Sequence, residues 1–302
     1  MSIFVAAAAC SLKSSSVLDM LYPRPSYDAR RMLARDAALA RSSMSAGGIP
    51  LAGDSMTYGE FDLDFLGSLL EAAEPQKGDT FVDCGSGCGR LVLGAALLRP
   101  KVWAECHGIE LLPELHNEAV AARMRMDELP ELSATMIAPV GFTALSRPGP
   151  VVWPASAARA AYWPRLAEAW GSLRHDLALK AASEEQAGRS VSHLTIDPGF
   201  TCADLWSDEA AAPLAAASVA FAYAVTWARD DEEGCLTELS ALLARRLSDG
   251  ARVVSIDLKL RGDAHAAFEP LAEVTGWNAE TGDSTGRVYR VRKAGSLGPA
   301  GF

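Results

Sequence analysis

Residues Asp79–Arg90 read DTFVDCGSGCGR, and the fold of the chain turns on them. Thr80, Phe81 and Val82 are an apolar run leading to an acid, Asp83, after which Gly85, Gly87 and Gly89 occupy every second position. Behind them LVLGAALL (91–98) reads as an apolar helix. A buried strand, a tight glycine turn and a helix N-terminus make a generic nucleotide cradle, since bare backbone admits a ligand to amides with no intrahelical partner. Two common occupants fit poorly. The dinucleotide fingerprint needs a small residue three places after its middle glycine, and Arg90 stands there. No Lys-Ser/Thr pair follows to make a phosphate loop.

Working outward, strands and helices alternate. Upstream, Leu63, Phe65, Leu66, Leu69 and Leu70 recur at helical spacing between Asp62 and Ala73. Downstream, Trp103–Ile109 reads as a strand ending at Glu110, and LLPELHNEAVAARMRM (111–126) as a helix with Pro113 in its first turn. The rhythm breaks over residues 125–195, which read as an insertion, too long for an ordinary connection. It resumes with VSHLTI (191–196), FTCADLW (200–206) and the strand SVAFAYAV (218–225). The helix GCLTELSALLARRL (234–247) and the strand ARVVSIDL (251–258) follow. Phe268–Val274 and GRVYRVR (286–292) read as two last strands separated by the loop WNAETGDST (277–285). The pattern predicts an α/β fold: an open, mostly parallel, Rossmann-like seven-stranded sheet with helices on both faces.

This core is expected over residues 56–293. Before it, residues 1–55 hold a surface helix in DARRMLARDAALARSSMS (28–45) and the turn-rich GGIPLAGDS (47–55); residues 294–302 form a tail. The insertion is expected to lie beside the carboxyl ends of the strands and help form an acceptor site.

Composition narrows the functional classes. The chain has 302 residues, 49% of them hydrophobic, enough for a large packed core. No apolar stretch reaches the roughly 18 residues of a membrane span, so no membrane partner is expected. The six cysteines include no CxxC pair, which suits a reducing compartment, nuclear or cytoplasmic. The acid-poor start, MSIFVAAAACSLKSSS, leaves organellar targeting open. Cys84 and Cys88 read as small core residues, and His107 and His116 are too isolated to propose zinc or another metal. A formal net charge of −10 repels phosphate backbones. The short basic segments, Arg30-Arg31 and Arg287–Lys293, predict only weak intrinsic nucleic-acid binding.

In an open α/β sheet the ligand lies beyond the carboxyl ends of the strands. Three acids fall at predicted strand ends: Asp83, Glu110 and Asp204. Asp83 lies where a small amino-acid group could pass the bare backbone. Glu110 can accept from both hydroxyls of a ribose, and Asp204 from an adenine amine. Together they suit a nucleoside with a cationic tail and no phosphates, which describes S-adenosylmethionine.

The stretch MTYGEFDLDFLGSLLEAAEPQKGDTFVDCGSGCGRLVLGAALL (56–98), with HGIE (107–110), resembles the disruptor-of-telomeric-silencing (DOT1-like) family. These are class I methyltransferases acting on a histone core lysine. LSALLARRLSDGARVVSIDL (239–258) follows the family's later pattern, and the resemblance spans about residues 56–120 and 196–260. It implies a protein-lysine N-methyltransferase with a protein substrate, a histone among the candidates. Tyr58 and Glu60 would lie in a loop over the methionine end of S-adenosylmethionine. Asp83, Gly85, Ser86, Gly87 and Gly89 would form the floor, Glu110 would hold the ribose and Asp204 the adenine. Apart from the resemblance, Tyr58, Phe61, Tyr223 and Trp227 are aromatic candidates for an acceptor channel, with Tyr58 and Tyr223 expected at the reaction centre. One departure concerns the acceptor: the family's Asn-Asn-Phe is replaced by Tyr223-Ala224-Val225. A methyltransferase acting on a small molecule, and a non-catalytic interaction domain that kept the fold, are the competing readings.

Overall fold

A computed structural model describes residues 18–19, 21–22, 27–44, 58–127, 198–227, 234–278 and 281–295. The expected insertion, from residue 128 onward, and the segment VSHLTI lie outside the described residues.

Seven strands form one sheet: β1 (Asp79–Cys84), β2 (Trp103–Glu110), β3 (Gly199–Cys202), β4 (Val219–Ala222), β5 (Arg252–Ile256), β6 (Ala266–Asn278) and β7 (Gly282–Lys293). Their order is β3-β2-β1-β4-β5-β7-β6. Strands β1 to β5 pair in parallel, and β7 enters antiparallel between β5 and β6. The order reverses between β1 and β4, so their connections leave toward opposite faces and open a crevice at the carboxyl ends. This is the Rossmann-like sheet of class I methyltransferases.

Six helices are described: α1 (Tyr27–Met44), α2 (Leu63–Ala72), α3 (Arg90–Leu98), α4 (Pro113–Asp127), α5 (Ala211–Ala216) and α6 (Thr237–Arg246). Side chains alternate between faces along a strand. On one face Val82 and Cys84 join Ala220, Val253, Leu214 of α5 and Leu239, Leu242 and Leu243 of α6 in a buried cluster. On the other, Phe81 meets Trp103 at 5.5 Å and Phe221 at 6.4 Å between ring centroids. Phe221 in turn meets Phe61, which stacks on Phe65 of α2. Trp103 donates its indole N–H to the Ala95 carbonyl at 2.9 Å, fastening β2 to α3.

The helix expected between Asp62 and Ala73 is α2, with those two residues as its caps. Asp62 Oδ1 accepts from the Phe65 amide at 2.9 Å, satisfying one of the first turn's free donors. Three readings need correction. The last two strands are longer than expected and their ladder runs on to Asn278–Gly282, through most of the supposed loop. The reason lies in α2: a Cβ on Gly276 would fall 2.2 Å from Phe65, and one on Gly286 2.2 Å from Leu69. These glycines, which flank the supposed loop, let the helix lie directly on the hairpin. Strand β4 stops at Ala222 rather than Val225. Finally α5 was unforeseen, because Pro213 masks an Ala-rich turn that buries Leu214.

Candidate cofactor site

The glycine turn follows β1 and opens α3. Gly85, Gly87 and Gly89 take φ values of +85°, +54° and +77°, a region costly for residues with a Cβ. Two also have no room for one. A Cβ on Gly87 would lie 2.6 Å from the Tyr58 ring, and one on Gly89 2.5 Å from Phe200. The turn is tied to β2: the Gly85 and Ser86 amides both donate to the Ile109 carbonyl at 2.9 Å.

Glu110 ends β2 and is buried. Its Oε2 accepts from the Gly87 amide at 2.7 Å and its Oε1 from the Leu112 amide at 2.8 Å. Each oxygen keeps a lone pair beyond these bonds. Burial raises the Glu110 pKa, against the opposing pull of the backbone donors of Leu112, Gly87 and Leu111. Asp83, also buried, accepts no hydrogen bond from the described residues, and burial together with the nearby Glu110 pushes its carboxyl up to about 8. Among the described residues, Ser86 Oγ is buried without a partner. Buried polar groups of native proteins are nearly always hydrogen-bonded. An acid and a hydroxyl left unpaired on a glycine floor fit a polar, cationic ligand. The residues present therefore suit the amino-acid end of S-adenosylmethionine.

Asp204 follows β3, exposed, with Oδ1 accepting from the Trp206 amide at 2.9 Å. The Ala203 amide donates to the Glu110 carbonyl at 2.9 Å, which brings the Asp204 segment beside the end of β2. Trp206 and Trp227 face each other with centroids 5.9 Å apart. Trp227 also borders the turn, 3.3 Å from where a Gly85 Cβ would stand. Tyr223, beyond β4, meets Phe61 edge-on at 5.1 Å and accepts a 2.9 Å hydrogen bond from Asn278 Nδ2. The structure thus gathers Tyr58, Asp83, Ser86, the glycines and Glu110 into one connected group. Asp204 and Trp227 border it, and Tyr223 stands on the aromatic cluster below Phe61.

Sequence reading missed the partners of Glu60. Arg30 of α1 is 4% exposed and donates from Nε to Glu60 Oε1 at 3.1 Å, with Nη2 in contact with the same oxygen. Arg90 Nε stands 3.2 Å from Glu60 Oε2, an ionic contact without hydrogen-bond alignment. Tyr58 donates to Glu60 Oε1 at 3.0 Å and lies 2.6 Å from Cys88 Sγ, whose thiol burial pushes up to about 11 and so holds neutral. Arg90, first noted as an obstacle to a dinucleotide, is part of this network. Nothing in the sequence around Arg30 signals its partner.

Residues 51–136 match the family described as histone methylation protein DOT1. Among solved structures the chain is similar to an RNA methyltransferase from Salinibacter ruber in complex with S-adenosyl-L-homocysteine. The identity is 17%, with 78% of this chain and 92% of that chain covered and a TM-score of 0.38. It is also similar to the rRNA methyltransferase aviRa from Streptomyces viridochromogenes (14% identity, 77% and 86% covered, TM-score 0.46). A third is precorrin-6y C5,15-methyltransferase from Geobacter metallireducens (12% identity, 77% and 89% covered, TM-score 0.37). No curated protein matches. Sheet order, glycine turn and family match together define an S-adenosylmethionine-dependent class I methyltransferase. Within the chain, the match to the DOT1 family covers residues 51–136.

Proposed function

We propose that the chain methylates a lysine side chain of a protein, with a histone among the candidate acceptors. The observation that carries the placement of the cofactor is Glu110. Its carboxylate is fixed by the Gly87 and Leu112 amides at the carboxyl end of β2, beside a buried Asp83 and a Ser86 hydroxyl that has no partner among the described residues. In this reading Asp83 and Ser86 receive the amino-acid end over the floor of Gly85, Gly87 and Gly89. Glu110 accepts from the ribose, Asp204 from the adenine amine, and Tyr58, held by Glu60, covers the methionine end.

S-adenosylmethionine supplies a methyl group already activated on a sulfonium, so the protein's work is alignment and desolvation. A lysine acceptor has a reference pKa of about 10.4 and must lose its proton before it can attack. Trp227 offers an apolar face beside the glycine turn, Phe61 and Tyr223 pack edge-on as a further aromatic pair, and burial against such faces disfavours the ammonium. The Tyr223 hydroxyl, held by Asn278, is the polar group of this set and is assigned to orient the acceptor nitrogen. The family match supports a protein lysine over other acceptors.

The test is a pair of measurements. Calorimetry should give binding of S-adenosylhomocysteine and none of NAD; tighter NAD binding would overturn the assignment. Tritiated methyl transfer to histones and to a cell extract, followed by hydrolysis, should place the label in methyl-lysine. Label recovered only in RNA or a small molecule would remove the protein-lysine reading and leave the cofactor site standing.

A further inference from the structure

We propose that Arg30 is a positioning residue for the cofactor cradle, acting through Glu60 and Tyr58, so that α1 completes the site from outside the family-matched segment. The proposal rests on the cofactor reading above. The connection can be followed atom by atom. Arg30 holds Glu60 Oε1 by its Nε and Nη2, Tyr58 donates to the same oxygen at 3.0 Å, and Arg90 faces Oε2 at 3.2 Å. The Tyr58 ring rests on Gly87, where even a Cβ would clash, and the Gly87 amide is the one that fixes Glu110. Four contacts therefore link a buried guanidinium on α1 to the carboxylate assigned to the ribose.

The chemistry of the pair favours positioning. Arginine's planar fork meets a carboxylate at a set angle, which fixes where Glu60, and with it the Tyr58 hydroxyl, must stand. Tyr58 is secured on two further sides, by Cys88 Sγ at 2.6 Å and by the Tyr27 ring of α1 at 6.1 Å. Tyr22 completes the enclosure: its hydroxyl donates to the Cys88 carbonyl at 2.7 Å, and both guanidiniums lie over its ring, at 5.3 Å for Arg30 and 5.9 Å for Arg90. Glu60 is thus the meeting point of α1, the Tyr58 segment and the first residue of α3. Without Arg30 the carboxylate keeps Arg90 and swings toward it, and Tyr58 loses its fixed seat on the turn. A shift of that kind alters affinity without touching the ligand.

The experiment measures S-adenosylhomocysteine affinity by calorimetry, and melting temperature, for the full chain and its variants. Arg30→Gln and Glu60→Gln should each weaken binding about tenfold, and the double variant should be little worse than the weaker single, since residues in one network do not add. Arg30→Lys, which keeps the charge without the fork, should recover only part of the loss. Arg35→Gln, exposed on the same helix, is the control and should bind as wild type. A lowered melting temperature with wild-type affinity in Arg30→Gln would overturn the proposal and leave Arg30 as a plain structural tie. Should that variant fail to fold, Tyr58→Phe keeps the ring and removes only the hydroxyl link. It should weaken binding several-fold, and unchanged affinity there would be equally fatal. Failure of the wild-type chain to bind S-adenosylhomocysteine would instead overturn the cofactor reading itself.

Discussion

Glu110 Oε2 accepts a 2.7 Å hydrogen bond from the Gly87 amide, which joins the end of β2 to the middle of the glycine turn. The same carboxylate holds the Leu112 amide at the entry to α4, so one side chain closes two backbone segments. Replacing Glu110 with Ala removes these bonds and the acceptors assigned to the ribose. S-adenosylhomocysteine affinity should fall by about 1.5–3 kcal/mol, the range for hydrogen bonds to a charged group. Glu110→Gln retains one acceptor oxygen and should lie between wild type and Ala. Titration calorimetry decides it, and full affinity in the Ala variant would take Glu110 out of the site.

Asp83 predicts a pH dependence. Its carboxyl is pushed up to about 8 by burial and by Glu110, against about 3.9 in the unfolded chain. Between those values the folded state binds more protons, so this group's contribution to stability falls as pH rises from about 4 to 8. A ligand α-ammonium beside Asp83 favours its ionised form. S-adenosylhomocysteine binding should therefore release protons at pH 7 and strengthen toward pH 8. Calorimetry in buffers of different ionisation enthalpy measures the release, and Asp83→Asn should abolish it. Proton release that survives in Asp83→Asn would assign it elsewhere.

Gly89 has both a left-handed conformation and no space for a side chain, because Phe200 and Ala119 press on it. Gly89→Ala should cost at least 1–2 kcal/mol from the backbone alone. Melting should drop by about 2–4 °C per kcal/mol for a chain of this size. A thermal shift assay suffices. Phe200→Ala in the same background should return part of the loss by relieving the clash.

Weak intrinsic affinity for nucleic acid is the expected outcome of how the basic segments are used. Arg30 is buried against Glu60, Arg287 pairs with Glu273 at 3.1 Å and Arg292 with Glu269 at 2.7 Å. With a net charge of −10 as well, the purified chain should show little DNA binding in a gel shift near physiological salt. Methylation of a chromatin lysine should then need a recruiting partner. Tight, salt-sensitive DNA binding, or efficient methylation of bare nucleosomes, would contradict this.

Much of the fold was legible because its signals are local. The alternating glycines state their own backbone needs, and the apolar spacing of α2 lies within its ten residues. Trp103–Glu110 reads as a strand for the same reason. The β6–β7 hairpin was misjudged because WNAETGDST is rich in turn-forming residues, while the helix α2 that packs on the hairpin at Gly276 and Gly286 lies far away in the chain. No window of sequence contains both.

The sequence by itself determined the strand–turn–helix cradle, the class of sheet and the acids at the strand ends. Each depends on conformational preferences or periodicities expressed over a few residues. Only the tertiary structure decided which remote groups meet: the Glu110 carboxylate with the Gly87 amide, Arg30 with Glu60, Asn278 with Tyr223. A hydrogen bond or ion pair between distant positions leaves no periodic trace in the chain, because its partners are brought together by packing of the whole sheet and its helices.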